Sequence, residues 1–256
     1  MWSRGGIELK LFFREREAVI FTFSMPAVLL LLLGSILDNE TAGIGGANML
    51  APSLIAAGIA STSFVNLGTS IASERDNGAL KRLRTTPMSP VAYFGGKVVL
   101  VLVCGLAEVL LLLAVAVLVF DVDLPDTPQK WLTMAWLFGL GTTGCALLGI
   151  AAAGLARSAR SAAAVVMMPF LVLEFISGVF VLPVSTIPAF LRQIGALFPL
   201  KWIAQGLRSV FLPDRAAALE AAGSWEPGRT ALVLAAWCVA GLLLCLMTFR
   251  WRRGDR

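Results

Sequence analysis

Histidine is absent from this chain, tyrosine occurs once, and charged side chains make up only 14% of its 256 residues. Without an imidazole, a Ser-His hydrolase, an HExxH metalloprotease and a histidine proton relay are all excluded. The cysteines, Cys104, Cys145, Cys238 and Cys245, fall inside long apolar runs, which is packing rather than a disulfide framework or a metal site. A nucleotide-binding loop is missing too, because Gly96-Lys97 is followed by Val98 and preceded at the required spacing by Val91. The chain is therefore read as non-catalytic, with no metal and no cofactor of its own.

What the sequence does have is apolar length. Hydrophobic residues make up 58% of it and the mean hydropathy is +0.83, a composition whose solvent is lipid. A hydrocarbon core about 30 Å thick takes about 20 apolar residues as a helix. Six such runs occur, at approximately 18–37, 51–73, 91–120, 131–153, 161–182 and 230–249. Their uniform apolarity fits helices rather than alternating barrel strands. The expected fold class is an all-α integral membrane protein with six transmembrane helices, forming one domain over 1–256, whose first span is retained rather than cleaved as a signal.

Fifteen of the 21 basic residues fall on one side of these spans: Arg4 to Arg16, Arg75 to Lys97, Arg157 and Arg160, and Arg250 to Arg256. The positive-inside rule then puts both ends of the chain in the cytoplasm. The net charge of +5 reflects this topology and is not a nucleic-acid footprint.

The most polar internal segment, residues 74–90, reads ERDNGALKRLRTTPMSP and follows the second span. Asp76-Asn77-Gly78 signals a turn, and Ala79 to Arg84 can form a short helix with Leu80 and Leu83 on one face. Pro87 stops it, and Ser89-Pro90 reads as the cap and first position of the third span. The product is a cytoplasmic knuckle joined to two membrane helices. Read from the residues alone, it could equally be a basic inner loop that only sets topology.

Together with the following VAYFGGK, this segment resembles the signature loop of the membrane subunits of type 2 ABC exporters. The resemblance extends along the chain to FISGVFVLPVSTIPAFLRQIGALFPLKWIAQGLR, which is similar to the family's outer segment at Ser177-Gly178, Pro183, Pro188, Pro199-Leu200 and Leu207-Arg208. It implies an amphipathic interfacial helix over 1–17, a coupling loop over 74–90, and a re-entrant and surface segment over 183–228 before the last span. It also implies a half-transporter that pairs with a second permease, identical or homologous, above two ABC ATPase subunits that bind ATP and Mg. The ATPase-coupling residues carried over are Glu74, Arg75, Gly78, Ala79, Leu80, Arg82, Leu83 and Arg84. A prokaryotic plasma (inner) membrane is the expected location.

Candidate pathway residues are the polar and aromatic groups in or near the spans: Asn66, Glu108, Glu174, Phe175, Ser177 and Phe180. A charge at the centre of a span costs roughly 2.5–3.5 kcal/mol on insertion scales, so Glu108 and Glu174 must be protonated, paired or facing a cavity. Each could bind substrate or merely bond a neighbouring helix. The stripe Thr62, Asn66, Thr69, Ser70 and Ser73, and the glycines Gly141, Gly144 and Gly149, read first as helix-packing surfaces. Phe and Trp far outnumber Tyr93, which favours a hydrophobic drug, antibiotic or lipid over a sugar polymer. Two alternatives stand beside the exporter permease. One is a proton-coupled secondary transporter using Glu108 and Glu174, and the other a non-transporting membrane scaffold or sensor subunit.

Overall fold

A computed structural model describes residues 2–14, 16–36, 44–79, 90–156 and 158–248. Helices and short turns account for these residues, and no extended strand occurs among them. The helices are α1 (Trp2–Arg14), α2 (Arg16–Ile36), α3 (Gly46–Ala60), α4 (Leu67–Asp76), α5 (Pro90–Phe120), α6 (Pro128–Leu155), α7 (Ala159–Ile176), α8 (Ala189–Ala196), α9 (Pro199–Phe211) and α10 (Pro227–Thr248). A π-helical stretch, Ser61–Asn66, joins α3 to α4 and makes one continuous element of the two.

Among the described residues, four segments are long and apolar enough to cross a membrane: Gly46–Asp76, Tyr93–Phe120, Pro128–Leu155 and Pro227–Cys245. Of the other two expected spans, the first lies in α2, whose apolar part is Thr22–Ile36, and the fifth is the 18-residue α7. The fifth ends earlier than the sequence suggests, at Ile176 rather than near 182. There Gly178 takes a left-handed conformation (φ +74°), with Val179 N–H donating to Glu174 O and Gly178 N–H to Phe175 O. That pairing is a Schellman termination, and it needs the residue with no Cβ.

The expected amphipathic helix over 1–17 corresponds to α1, which ends at Arg14, with α2 beginning at Arg16. Its packed face lies on α5, where Gly5 abuts Val99, while Leu11 and Phe13 stay exposed. Of the expected loop over 74–90, Glu74 to Asp76 still belong to α4 and Pro90 opens α5.

At the centre lies α3, buried on nearly every side from Met49 to Ala60. Against it pack α2, α5, α6 and α9, and their shared core includes Leu30, Leu54, Ile55, Ile59, Leu112, Leu137, Trp202 and Ile203. The α6 glycines mark helix contacts, as their spacing suggests: a Cβ at Gly141 would lie 2.9 Å from Ile203, and one at Gly149 only 2.6 Å from the Phe64 carbonyl oxygen. The segment after α7 is broken by Pro183, Pro188, Pro199 and Pro213 into pieces too short to span, of which α9 alone is deeply buried.

Candidate functional site: a coupling stem, a buried seam and an outer latch

At the expected cytoplasmic end, α4 finishes with Glu74-Arg75-Asp76 and turns through Asn77 to Gly78 (φ +70°), whose N–H donates to Arg75 O at 3.2 Å. The Asn-Gly turn therefore forms where the sequence signals it, with glycine in the left-handed position that closes the helix. Ala79 is the last described residue before the loop tip. Leu80, Arg82, Leu83 and Arg84 lie outside the described residues.

Beneath that turn the side chains converge. Lys97 on α5 is 1% exposed and donates to Glu8 Oε2 on α1 at 2.8 Å, to Ser70 Oγ at 3.3 Å, and to Glu74 Oε1. Tyr93, also buried, donates its hydroxyl to the other Glu74 oxygen at 2.8 Å. On the opposite side Arg75 reaches the C-terminus of α6, donating to Ala153 O at 2.9 Å and to Ala156 O. A guanidinium on the last carbonyls of a helix satisfies acceptors that have no partner within the helix and complements its dipole. Glu74 thus bonds α5 and Arg75 bonds the end of α6 inside the chain, at the base of the loop that the resemblance places near a partner contact. Glu8, Tyr93 and Lys97 were not singled out as site residues. The one signal available was Lys97 itself, a lone cation at the head of a long apolar run.

Within the expected bilayer, Glu108 of α5 is 1% exposed and accepts a hydrogen bond from Thr62, the second residue of the π stretch. The carboxyl also fills the space left at Gly58, where a Cβ would stand 2.8 Å from Oε1. A π turn widens the helix, and here it presents Thr62 to α5 and Asn66 to α2, where Asn66 donates to Thr22 Oγ1 at 3.2 Å. Glu108 and Asn66 are therefore joints between helices.

Glu174 differs. It is half-buried on α7, and its carboxyl makes no hydrogen bond or ion pair among the described residues. Around it α7 exposes Val165, Met167, Met168, Leu171, Val172 and Phe175, with Phe175 against Phe180 at 5.4 Å. The outward faces of α5, over Val103 to Val119, and of α10, over Leu232 to Met247, are apolar without an acidic residue. Of the six pathway candidates, then, Glu174, Phe175 and Phe180 cluster at the C-terminal end of α7. Ser177 is buried beside them in the turn, and Asn66 and Glu108 are elsewhere.

The segment after α7 is held by a second buried charge network. Arg208 on α9 is 1% exposed, donates from Nε to Glu220 Oε1 at 2.6 Å, and from Nη1 to Ser53 Oγ at 2.9 Å and to Gly178 O at 3.0 Å. One side chain thus latches α9, α3 and the turn after α7. Gln205, one turn earlier, donates to the carbonyls of Ser224 and Trp225 at 3.2 and 2.9 Å. The sequence pattern marks the Leu207-Arg208 pair but not its latch role, since Ser53 and Glu220 are 155 and 12 residues away.

The model of one protein family, described as ABC-2 type transporter, matches residues 6–212, from α1 through α9. The chain belongs to the ABC-2 type transporter family. The match spans the stem, the seam, Glu174 and Arg208 of this transporter chain, and ends at Leu212, ahead of Glu220 and α10. The chain is also 25% identical over 163 residues to proteins of Escherichia coli K12 and O157:H7 named probable multidrug ABC transporter permease YbhR. That alignment covers 64% of this chain and 43% of each relative, so the chain spans less than half the length of the curated relatives it matches.

Proposed function

We propose that this ABC-2 chain is the permease subunit of an ATP-driven exporter for a hydrophobic drug, antibiotic or lipid. It would cross a prokaryotic inner membrane six times with both ends cytoplasmic. Two ABC ATPase subunits binding ATP and Mg would dock on the knuckle over Gly78 to Arg84. The "multidrug" in the relatives' name supports the substrate class.

The stem carries this reading. Its knuckle is tied at Glu74 to α1 and α5 through Lys97 and at Arg75 to α6, so a push on the loop moves four helices together rather than bending one turn. That is the mechanical requirement for carrying nucleotide-driven closure to a pathway between protomers. α7 supports a second permease: an acidic group on an otherwise apolar exposed face is costly against lipid and fits a protein-lined cavity. In this scheme Glu174, Phe175 and Phe180 face the pathway, and Glu108 is structural, which removes one of the two acids a proton-coupled carrier would use.

The test is co-purification from the native host followed by an ATPase assay, comparing wild type with Gly78→Pro and Leu80→Asp. An ATPase subunit that travels with the wild type and is lost from both variants is the expected result. Recovery of no ATPase under several mild detergents would overturn the reading and favour proton-driven transport.

A further inference from the structure

The cleft between α8, α9 and the start of α10 has a volume of about 250 Å³, with Arg192, Gln193, Lys201, Trp202, Glu226 and Arg229 in its lining. By liquid-water volume that is room for about eight waters, more than a lone ion needs. Lys201 is 7% exposed, and its ammonium makes no hydrogen bond or ion pair among the described residues. Its contact is the face of Trp202, 3.5 Å from the ring centroid, and Trp202 is itself fixed by donating Nε1–H to Ala196 O at 2.8 Å. Arg229 lies 5.2 Å over the same ring and is paired with Glu226 at 3.0 Å. Arg192 completes the set. Three cations thus share the cleft with one carboxylate, and the nearby acid Glu220 is committed to Arg208.

Burying an ammonium against an aromatic ring while the nearby acids are paired with Arg208 and Arg229 is unfavourable unless something else neutralises it. The first turn of α10, which opens at Pro227, adds the positive end of a helix dipole to the same wall. Beside the cleft α8 turns Phe190, Ile194 and Leu197 outward, at 63%, 44% and 65% exposure, so an occupant with an apolar tail would find an apolar surface for it.

We propose that this cleft binds the anionic headgroup of a membrane lipid, its phosphate held between Lys201, Arg192 and Arg229 and its acyl chains lying along Phe190, Ile194 and Leu197. The site would tie the outer segment to the bilayer. It requires only that the chain is embedded in a membrane, and it stands or falls independently of the ATP-coupled exporter reading.

The full chain, purified in a non-ionic detergent, is titrated with dioleoylphosphatidylglycerol, dioleoylphosphatidylcholine and inorganic phosphate, and bound lipid is read by native mass spectrometry. The wild type should bind the glycerol lipid at least about tenfold more tightly than the choline lipid, and millimolar phosphate should not displace it. Lys201→Met and Arg192→Gln should each cut the preference severalfold, while Lys201→Arg keeps it. Arg192, partly exposed on α8, guards against misreading a folding defect at Lys201. Equal affinity for the two lipids, or an unchanged preference in both charge-removing variants, overturns the proposal. Displacement by phosphate alone also overturns the lipid assignment and leaves a soluble-anion site.

Discussion

Replacing Lys97 by Met removes the ammonium that joins α1, α4 and α5 while keeping most of the side chain's bulk. Lys97 and Glu8 are 1% and 4% exposed at the side chain, and Glu74 is 24% exposed. Truncating one partner of a buried ion pair typically costs about 3–5 kcal/mol, because the remaining charge stays buried without its counterion. Glu8 and Glu74 each lose their bond to Lys97, and Glu74 keeps some water and the Tyr93 hydroxyl. The expected loss is therefore about 3 kcal/mol or more, measured by equilibrium unfolding of the full chain in mixed detergent micelles. Glu8→Gln and Glu74→Gln added to Lys97→Met neutralise the two carboxylates and should restore much of the loss, because a buried ionic cluster contributes little net stability over a neutral one. A loss under about 1 kcal/mol for Lys97→Met alone would refute the buried three-helix tie.

Other expectations are shorter to state. Thr62→Val strands the buried Glu108 carboxyl and should cost about 1–3 kcal/mol, whereas Glu108→Gln keeps an acceptor for Thr62 and should cost less; the same unfolding assay separates them. Gly178→Ala forces a side chain into a left-handed φ and to within 2.8 Å of Val184, so about 1–3 kcal/mol should be lost, and an effect near zero would contradict the Schellman turn. Burial pushes the Lys201 ammonium down to about 8, partly offset by Glu220 and Glu226 and reinforced by Arg208 and Arg229. Because its folded value lies below that of a free lysine, the folding penalty is full below pH 8 and relieved between pH 8 and the ordinary lysine range. Stability should therefore rise over that interval while anionic-lipid binding falls, both read by titrating the purified chain across it.

The parts legible in the sequence were those written locally. Apolar length placed the four long helices, Asn77-Gly78 marked the end of α4, and the proline series divided the segment after α7. What escaped depends on pairing across the fold. Lys97 meets Glu8 across 89 residues and Arg208 meets Ser53 across 155, and no periodicity or spacing announces either contact. The π stretch at Ser61–Asn66 was equally silent, since its residues look like an ordinary polar stripe until Glu108 is seen opposite Thr62. The sequence suggests too long a fifth span because FISGVFVL is apolar except for Ser177, and apolarity does not reveal that Gly178 reverses the chain.

The stem and the latch hold opposite ends of one element. Ser53, bonded to Arg208, and Glu74, bonded to Lys97, are separated by 21 helical steps, or about 32 Å at 1.5 Å each, which is close to the thickness of a hydrocarbon core. Charge networks belong at such positions, near the two interfaces, and the π stretch with its Thr62–Glu108 bond falls between them where charge is most expensive. A push at Glu74 therefore reaches Ser53, and through Arg208 the Gly178 turn and α9, along a helix held at both ends. This makes a distinction that stability alone would not. Lys97→Met and Arg208→Met lie too far apart to share contacts, so their effects on unfolding should add within about 0.5 kcal/mol. If the chain works in an ATP-driven exporter as proposed and the element transmits motion as a unit, their effects on transport per ATP hydrolysed should not add, because breaking either end already disconnects the loop from the segment after α7. Additive losses in both assays would mean that the two networks serve only to hold the fold together.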